Sequence, residues 1–327
     1  MDSLFSVTRR RFIARLAAVP MCALGAAAQG DDNRPLQIIV GYPAGGGTDV
    51  LARVLGEPLS KLVGRPVIVR NVPGAAGQIA AGALLRDGAG GLAILAINHP
   101  DLYMAIERNA AAFKPADFQV IMVDMQDPRV FLVRNDAGID SFDAFVTHAK
   151  AQSGKLAVSV TANSAQELFA KWLFAKLGID VTVVGYKGGS EASTALLAGD
   201  VAANIGDDFA RYNLRASTKA LFIGSQKPSP RWPEAPALAR TLAPYGIVPP
   251  SENFLSRYGI YVVPATFKAK NAGAYAALQR ALLRARASPE FQEYIAKNKL
   301  QDLSIGRPGE ELEPVFAADF AEIAKLK

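Results

Sequence analysis

From Pro35 onward, short β-branched and apolar runs alternate with stretches of helical periodicity. Leu36–Val40, Val67–Arg70 and Leu92–Ile97 read as strands, with Thr48–Leu62 and Gly77–Leu85 as the helices between them. This alternation predicts a parallel sheet with crossover helices. A second set follows, with strands at Lys155–Val160, Val181–Val184, Val201–Ile205 and Ala220–Ile223 and helices at Ser141–Gln152, Ser164–Leu177 and Ser190–Leu197. Phe131–Arg134 and Tyr258–Val263 are extended and read as two strands crossing between the units, after which helical patterns at Thr266–Ala287, Pro289–Lys297 and Gly309–Lys325 return to the first. Lys227–Pro250 holds seven prolines and little periodicity, which predicts a long surface loop. Pro58 lies inside the first long helix and is expected to kink it.

The first 28 residues follow another pattern. Thr8-Arg9-Arg10-Arg11-Phe12-Ile13 precedes an apolar run from Leu16 to Ala28 that ends in Ala26-Ala27-Ala28, an A-x-A cleavage site. Thirteen apolar residues fall short of the roughly 20 that span a bilayer, so a cleaved export signal is expected and a permanent anchor is not. Paired arginines before Phe-Ile resemble a twin-arginine signal, and three in a row also suit the general secretory route. Cys22, the one cysteine of the 327 residues, would leave with the leader, and a cysteine-free chain suits an oxidising periplasm. Without the leader's four arginines and one aspartate the net charge falls from +6 to +3 with the signs interspersed, so nucleic acid is not an expected partner. With only His99 and His148, a zinc site of Cys/His type is not expected.

Chemistry concentrates in three glycine-bearing loops. Gly41-Tyr42-Pro43-Ala44-Gly45-Gly46-Gly47-Thr48-Asp49 lies between a strand and a helix, where glycines admit close backbone approach and Thr48 could cap the helix and leave its amides facing an anion. Asn71-Val72-Pro73-Gly74-Ala75-Ala76-Gly77-Gln78 and Gly185-Tyr186-Lys187-Gly188-Gly189-Ser190-Glu191 repeat the arrangement. Neither a P-loop nor a dinucleotide fingerprint is complete. The loops together hold one lysine, Lys187, and no arginine, so helix ends and backbone donors are expected to supply the positive potential.

These motifs, spread over Pro35–Lys327, resemble the substrate-binding receptors of tripartite tricarboxylate transporters, the Bug-type periplasmic receptors. The resemblance implies an α/β, two-lobed periplasmic binding protein fold, each lobe a mostly parallel sheet flanked by helices, with the ligand cleft between lobes. It places lobe 1 at 35–132 plus 260–327 and lobe 2 at 133–259, behind a signal peptide at 1–28. It also implies a small carboxylate held largely through backbone groups and bridging waters, at positions including Thr48, Asp49, Gly77, Gln78, Gly188 and Gly189. With the neighbouring loop and strand-end residues, the expected ligand-binding set is completed by Tyr42, Ala44, Gly45, Gly46, Gly47, Asn98, Thr161, Asn163, Ser164, Tyr186, Ser190 and Asp207. No catalytic residue, metal ligand or cofactor is expected. The expected partners are membrane transporter subunits or a sensor kinase, with the protein itself a monomer.

Two departures from the family pattern bear on the ligand. Ser159–Leu168 lacks the glycines of the usual turn, and Glu167 stands where an imidazole is usual. Asp207 and Asp208 stand where one acid is usual; one is expected to face the cleft and the other to cap the next helix. An unpaired acid there would favour a ligand that carries a cationic group besides its carboxylate. Tyr186 reads as a cleft wall or as core. A rival reading, a secreted hydrolase or isomerase, would use Asp49, Asp207 or His99 as acid or base, but no nucleophile and base come with an orienting third group. A neutral or aromatic ligand is a further alternative.

Overall fold

The apolar runs become strands, and most of their ends feed loops. In the computed structural model, residues 34–108, 113–250, 253–323 and 325 are described. The leader and its cleavage site lie outside them. The elements are β1 (Leu36–Val40), α1 (Gly47–Val63), β2 (Val67–Asn71), α2 (Gln78–Asp87), β3 (Ala93–His99), α3 (Asp101–Arg108), β4 (Phe118–Arg134), α4 (Phe142–Ala151), β5 (Ala157–Thr161), α5 (Ala165–Leu177) and β6 (Thr182–Tyr186). There follow α6 (Gly189–Ala198), β7 (Ala203–Asp207), α7 (Asp208–Arg211), β8 (Thr218–Ile223), α8 (Leu238–Leu242), β9 (Ser256–Pro264), α9 (Ala265–Lys270), α10 (Ala272–Arg286), α11 (Pro289–Lys297), β10 (Ser304–Pro308) and α12 (Glu313–Ile323).

The strand order is β2-β1-β3-β9-β4-β7-β5-β6, with β8 and β10 also paired to β4. At one end β1 runs parallel to β2 and β3; at the other, β5 runs parallel to β6 and β7. The strands between them are antiparallel. β9 pairs β3 and the first part of β4, whose last residues then pair β7 and β8. β4 is thus the strand that passes from one sheet to the other, and its 17 residues extend well upstream of the expected Phe131–Arg134. β9 stays with the first sheet and meets the crossing only at its start, where Arg257 pairs Asp127.

Two main cores lie on either side of this crossing. One gathers β1, β3, β9 and early β4 with α1, α10 and α11, around residues such as Ile38, Leu55, Ile94, Val262, Leu282 and Phe291. The other packs Phe131, Phe145, Phe169, Phe174 and Phe222 edge to face beneath α4 and α5, the geometry that aromatic quadrupoles favour.

Several local expectations change. α1 runs unbroken through the buried Pro58 and closes at Gly64, whose left-handed backbone (φ 67°) lets its amide donate to the Ser60 carbonyl at 3.1 Å. The helical pattern at Thr266–Ala287 divides at Asn271, which leaves the helical region at φ −137° and ψ 55°.

The largest change is at Lys227–Pro250, which is not simply a surface loop. Trp232, Leu238 and Leu242 are fully buried, and the wholly buried Arg231 pairs with Asp208 at 2.6 Å and with Asp302 at 2.8 Å. Proline spacing conceals such anchors because they pair with residues distant in sequence.

Removing Arg231 leaves Asp208 buried without its cation. Arg231→Met should therefore cost about 3–5 kcal/mol in chemical denaturation, whereas Lys61→Met, which breaks the exposed pairs to Glu57 and Glu290, should leave the midpoint unchanged. Equal midpoints for the two variants would contradict this account of the segment.

Candidate functional site

A cavity of about 340 Å³ opens at the carboxyl ends of β1, β3, β5, β6 and β7, where α/β sheets bind ligands. A larger one of about 690 Å³ lies between the Lys227–Pro250 segment and β10, and none of the three glycine-bearing loops singled out in the sequence lines it. The smaller is the candidate site because α1 and α6 both begin in its wall, through Gly47 and Thr48 and through Gly189 and Ser190. First-turn amides have no acceptor within their own helix and carry its positive end. The start of α5 is different: Ala165 donates its amide to Asp101 at 2.8 Å and Gln166 donates its amide to Ser164 Oγ at 3.1 Å.

The Gly41–Gly47 loop is fastened from several sides. Asp49, 2% exposed, accepts from the Gly45 amide at 2.8 Å, from Asn71 at 2.8 Å and from Arg53 at 3.1 Å. Burial opposes its ionisation, but these donors prevail and hold the carboxyl below its ordinary range. Gly45 takes φ 82°, in the left-handed region, whereas Gly46 at −76° does not. Tyr42 donates its phenol proton to Asp101 at 3.0 Å and accepts from the Asn98 amide at 3.3 Å. Burial, and then the Asp101 carboxylate, push that phenol well above its usual pKa. Thr48 is not a cap; its hydroxyl donates to Asn98 Oδ1 at 3.2 Å, and Gly46 occupies the N-cap. Gly188 lies so close to Pro43 that a Cβ there would come within 2.7 Å of the ring, which seats the start of α6 against the loop.

Beneath the cavity lies a buried network of charge. Asp207 pairs with Arg129 and with Arg257 Nε at 2.9 Å, and it accepts from Gln166 at 2.8 Å. Arg257 also donates to Asp127 at 2.7 Å and to Asn98 at 2.7 Å. Burial opposes charge on Asp207, but Arg129, Arg257 and Arg211 outweigh it and hold the carboxyl below the usual range. Asp127 moves the other way, raised by burial and by the nearby Asp207 and Asp208 carboxylates against the pull of Arg257.

Of the expected residues, Tyr42, Gly45, Gly46, Gly47, Thr48, Asn98, Thr161, Gly189, Ser190 and Asp207 line the cavity together. Ala44, Asp49, Gly77, Gln78, Asn163, Ser164, Tyr186 and Gly188 stand outside the lining. Asp49 is a loop latch. Ser164 is the N-cap of α5, its hydroxyl donating to the Thr161 carbonyl at 2.7 Å. Asn163 is exposed at φ 57°. Tyr186 packs against a core cluster, the second of its two readings. Asp208 caps nothing, since it is bound to Arg231 and Ser229, and α7 has no side-chain cap.

Asp207 is already paired, so the reason for expecting a cationic group on the ligand disappears. His99 points away from the cavity, as strand alternation after Asn98 requires. Its ring stacks on Phe316 at 4.3 Å and its Nε2 lies 3.4 Å from Asp319. The three residues of the enzyme reading are therefore a latch, a paired anion and a core ring. Sequence reasoning missed Asp101, Gln166, Arg211 and Arg257 in the lining. For Arg257 the available signal was a charged residue at the start of an apolar strand, next to Tyr258; the other three lie in helices and carry no such mark.

The family model described as Tripartite tricarboxylate transporter family receptor matches residues 51–305. A UPF0065 protein from the gbd 5' region of Cupriavidus necator is 31% identical over 260 residues, which cover 74% of this chain and 79% of that one. Protein BugT of Bordetella pertussis is 31% identical over 224 residues, 66% of this chain and 68% of that one. Among solved structures, MatC of Rhodopseudomonas palustris with bound malate superposes with a TM-score of 0.75 at 20% identity, over 90% of this chain and 97% of that one. Another R. palustris protein, solved with adipate, gives 0.78 at 20% identity over 90% and 96%. Periplasmic binding protein BugD gives 0.72 at 22% identity over 90% and 95%. The fold is that of periplasmic binding proteins.

Two outcomes follow from this geometry. Gly45→Ala should destabilise by about 1 kcal/mol, while Gly273→Ala, inside α10 with no heavy atom within 4 Å of the new Cβ, should not; paired thermal melts compare them. Burial holds the His99 imidazole below its ordinary 6.5 although Asp319 pulls it up. In the window below about 6.5 the unfolded chain takes up a proton that the folded one does not, so this contribution to stability is complete above that pH and is lost as pH falls. His99→Phe, which keeps an aromatic ring against Phe316, should flatten the fall of melting temperature from about pH 7 to about pH 5. Parallel profiles for the two proteins would contradict it.

Proposed function

Because the chain belongs to the tripartite tricarboxylate transporter receptor family, we propose that it captures a small organic carboxylate in the 340 Å³ cavity and delivers it to a membrane partner. The observation that carries this reading is the convergence of the α1 and α6 N-termini on that cavity. Two positive helix ends with uncommitted amides can receive carboxylate oxygens without a metal or a cofactor. The volume stands at the lower end of the range for ligand pockets, which suits a small acid. Malate in MatC and adipate in the second R. palustris protein support the ligand class.

In this reading the sheets on either side of the β4 crossing are two lobes, 35–132 plus 260–327 and 133–259, that close on the ligand. The Gly188–Pro43 contact is where the closed form is sealed. The protein is a non-enzymatic monomer of the periplasm, exported through its twin-arginine-like leader and cleaved near Ala28. Its partners are the membrane subunits of a tripartite tricarboxylate-type transporter or a sensor kinase.

A carboxylate supplied at 100 times its dissociation constant should add about 2.7 kcal/mol of stability, a melting shift of roughly 5 °C. A thermal-shift panel of mono-, di- and tricarboxylates, run with and without chelator, reads this directly. The shift should survive chelator, and mass spectrometry should recover the acid unchanged after long incubation. A shift that chelator abolishes, or an acid that is consumed, would overturn the reading.

A further inference from the structure

Arg211 is 2% exposed and lines the cavity, yet its guanidinium is only partly occupied. Nε donates to Asn204 Oδ1 at 2.7 Å, and Asn204 is itself held by the Ser159 carbonyl and hydroxyl at 3.1 and 2.9 Å. Nη2 has no hydrogen-bond partner among the described residues. The carboxylate of Asp207 is taken by Arg129, Arg257 and Gln166 and makes no ion pair with Arg211. A buried cationic donor left unmatched is costly.

The chain makes room for this side chain in two places. A Cβ on Gly206 would collide with Nε, and a Cβ on Gly189 would come within 2.7 Å of Nη1 and 3.2 Å of Nη2. The guanidinium therefore lies against the first residue of α6, where the helix presents its own positive end. Asp207 and Asp127 favour the charge on this guanidinium only through space, without a salt bridge to it, so a ligand anion that bonds both it and the helix end is favoured.

We propose that Arg211 is a ligand-binding residue, whose guanidinium grips a carboxylate of the solute directly while the Gly189 and Ser190 amides hold the same group. The proposal rests on the carboxylate-receptor reading and makes it specific. Recognition is then by a preorganised guanidinium as well as by backbone, and a neutral isostere at that end of the solute is rejected because it leaves the arginine unmatched. The arginine-free loops gave no sign of this, since Arg211 stands 22 residues after Gly189 in the chain, on a different element.

The test compares each acid that binds the protein in calorimetry, drawn from malate, succinate and adipate, with its monoamide. Arg211→Gln should weaken acid binding about 10- to 100-fold and bring the acid-to-monoamide affinity ratio close to one. Lys187→Gln, at an exposed position, should leave both unchanged. A residue that only supports the fold would weaken acid and amide alike and preserve the ratio. Should Arg211→Gln fail to fold, Arg211→Lys is measured in its place, and a crystal structure of the unaltered protein with the acid decides between a direct guanidinium–carboxylate contact and an intervening water. A folded variant with an unchanged ratio, or a water in that position, overturns this assignment alone. Failure of the unaltered protein to bind any carboxylate overturns the receptor reading with it.

Discussion

The carboxylate of Asp207, at the end of β7, is bound by Arg129 of β4, Arg257 of β9 and Gln166 of α5, at the place where the two sheets meet. Arg257 reaches further, to Asp127 on β4 and Asn98 on β3. Every charge in this group has been taken out of water, which costs several kcal/mol per ion and is offset only while each keeps its partners. A slip in the register of β4 or β9 would strand at least one of them. The network is therefore a constraint on the crossing itself, and the ends of β3 and β7 that form the cavity wall are set by it.

That constraint also determines the electrical character of the cavity. An aspartate in the wall of an anion site would ordinarily repel the ligand, but Asp207 faces three arginines and contributes little free negative charge. Asp101, the other acid in the lining, accepts from Tyr42 and from the first amide of α5. The positive end of α5 is thereby spent on an internal carboxylate, while the ends of α1 and α6 remain directed at the cavity. What sets α5 apart is that a carboxylate takes its first amide, whereas Asp49 and Glu191, the first-turn acids of α1 and α6, accept from Gly45 and Lys187, which precede those helices.

The glycine loops were legible because their requirements are local. A strand followed by Gly45 at φ 82° and a helix is a statement about a few consecutive residues, and it can be read from their identities. The roles of Asp49 and His99 were not legible in that way. Asp49 looks like a ligand residue until Asn71 and Arg53 are seen on its oxygens, and His99 looks like an acid or base until Phe316 and Asp319 are seen against its ring. The same holds for Lys227–Pro250, where proline content predicts exposure and a single ion-pair group, Arg231 with Asp208 and Asp302, draws the segment inward.

The sequence by itself determined the order of strands and helices, the three glycine loops at strand ends and the resemblance to a receptor family, because periodicity, chain stiffness and turn chemistry act over a handful of neighbouring residues. Only the tertiary structure decided which charged side chains are internal pairs and which one remains for a ligand. Arg129 and Asp207 are separated by 78 residues and Arg257 and Asn98 by 159, and the strength of such a contact depends on distance through space and on exclusion of water. Neither quantity exists until the chain has folded, which is why Arg211 could be proposed as an anion-binding residue only after the Asp207 oxygens were found bonded to Arg129, Arg257 and Gln166.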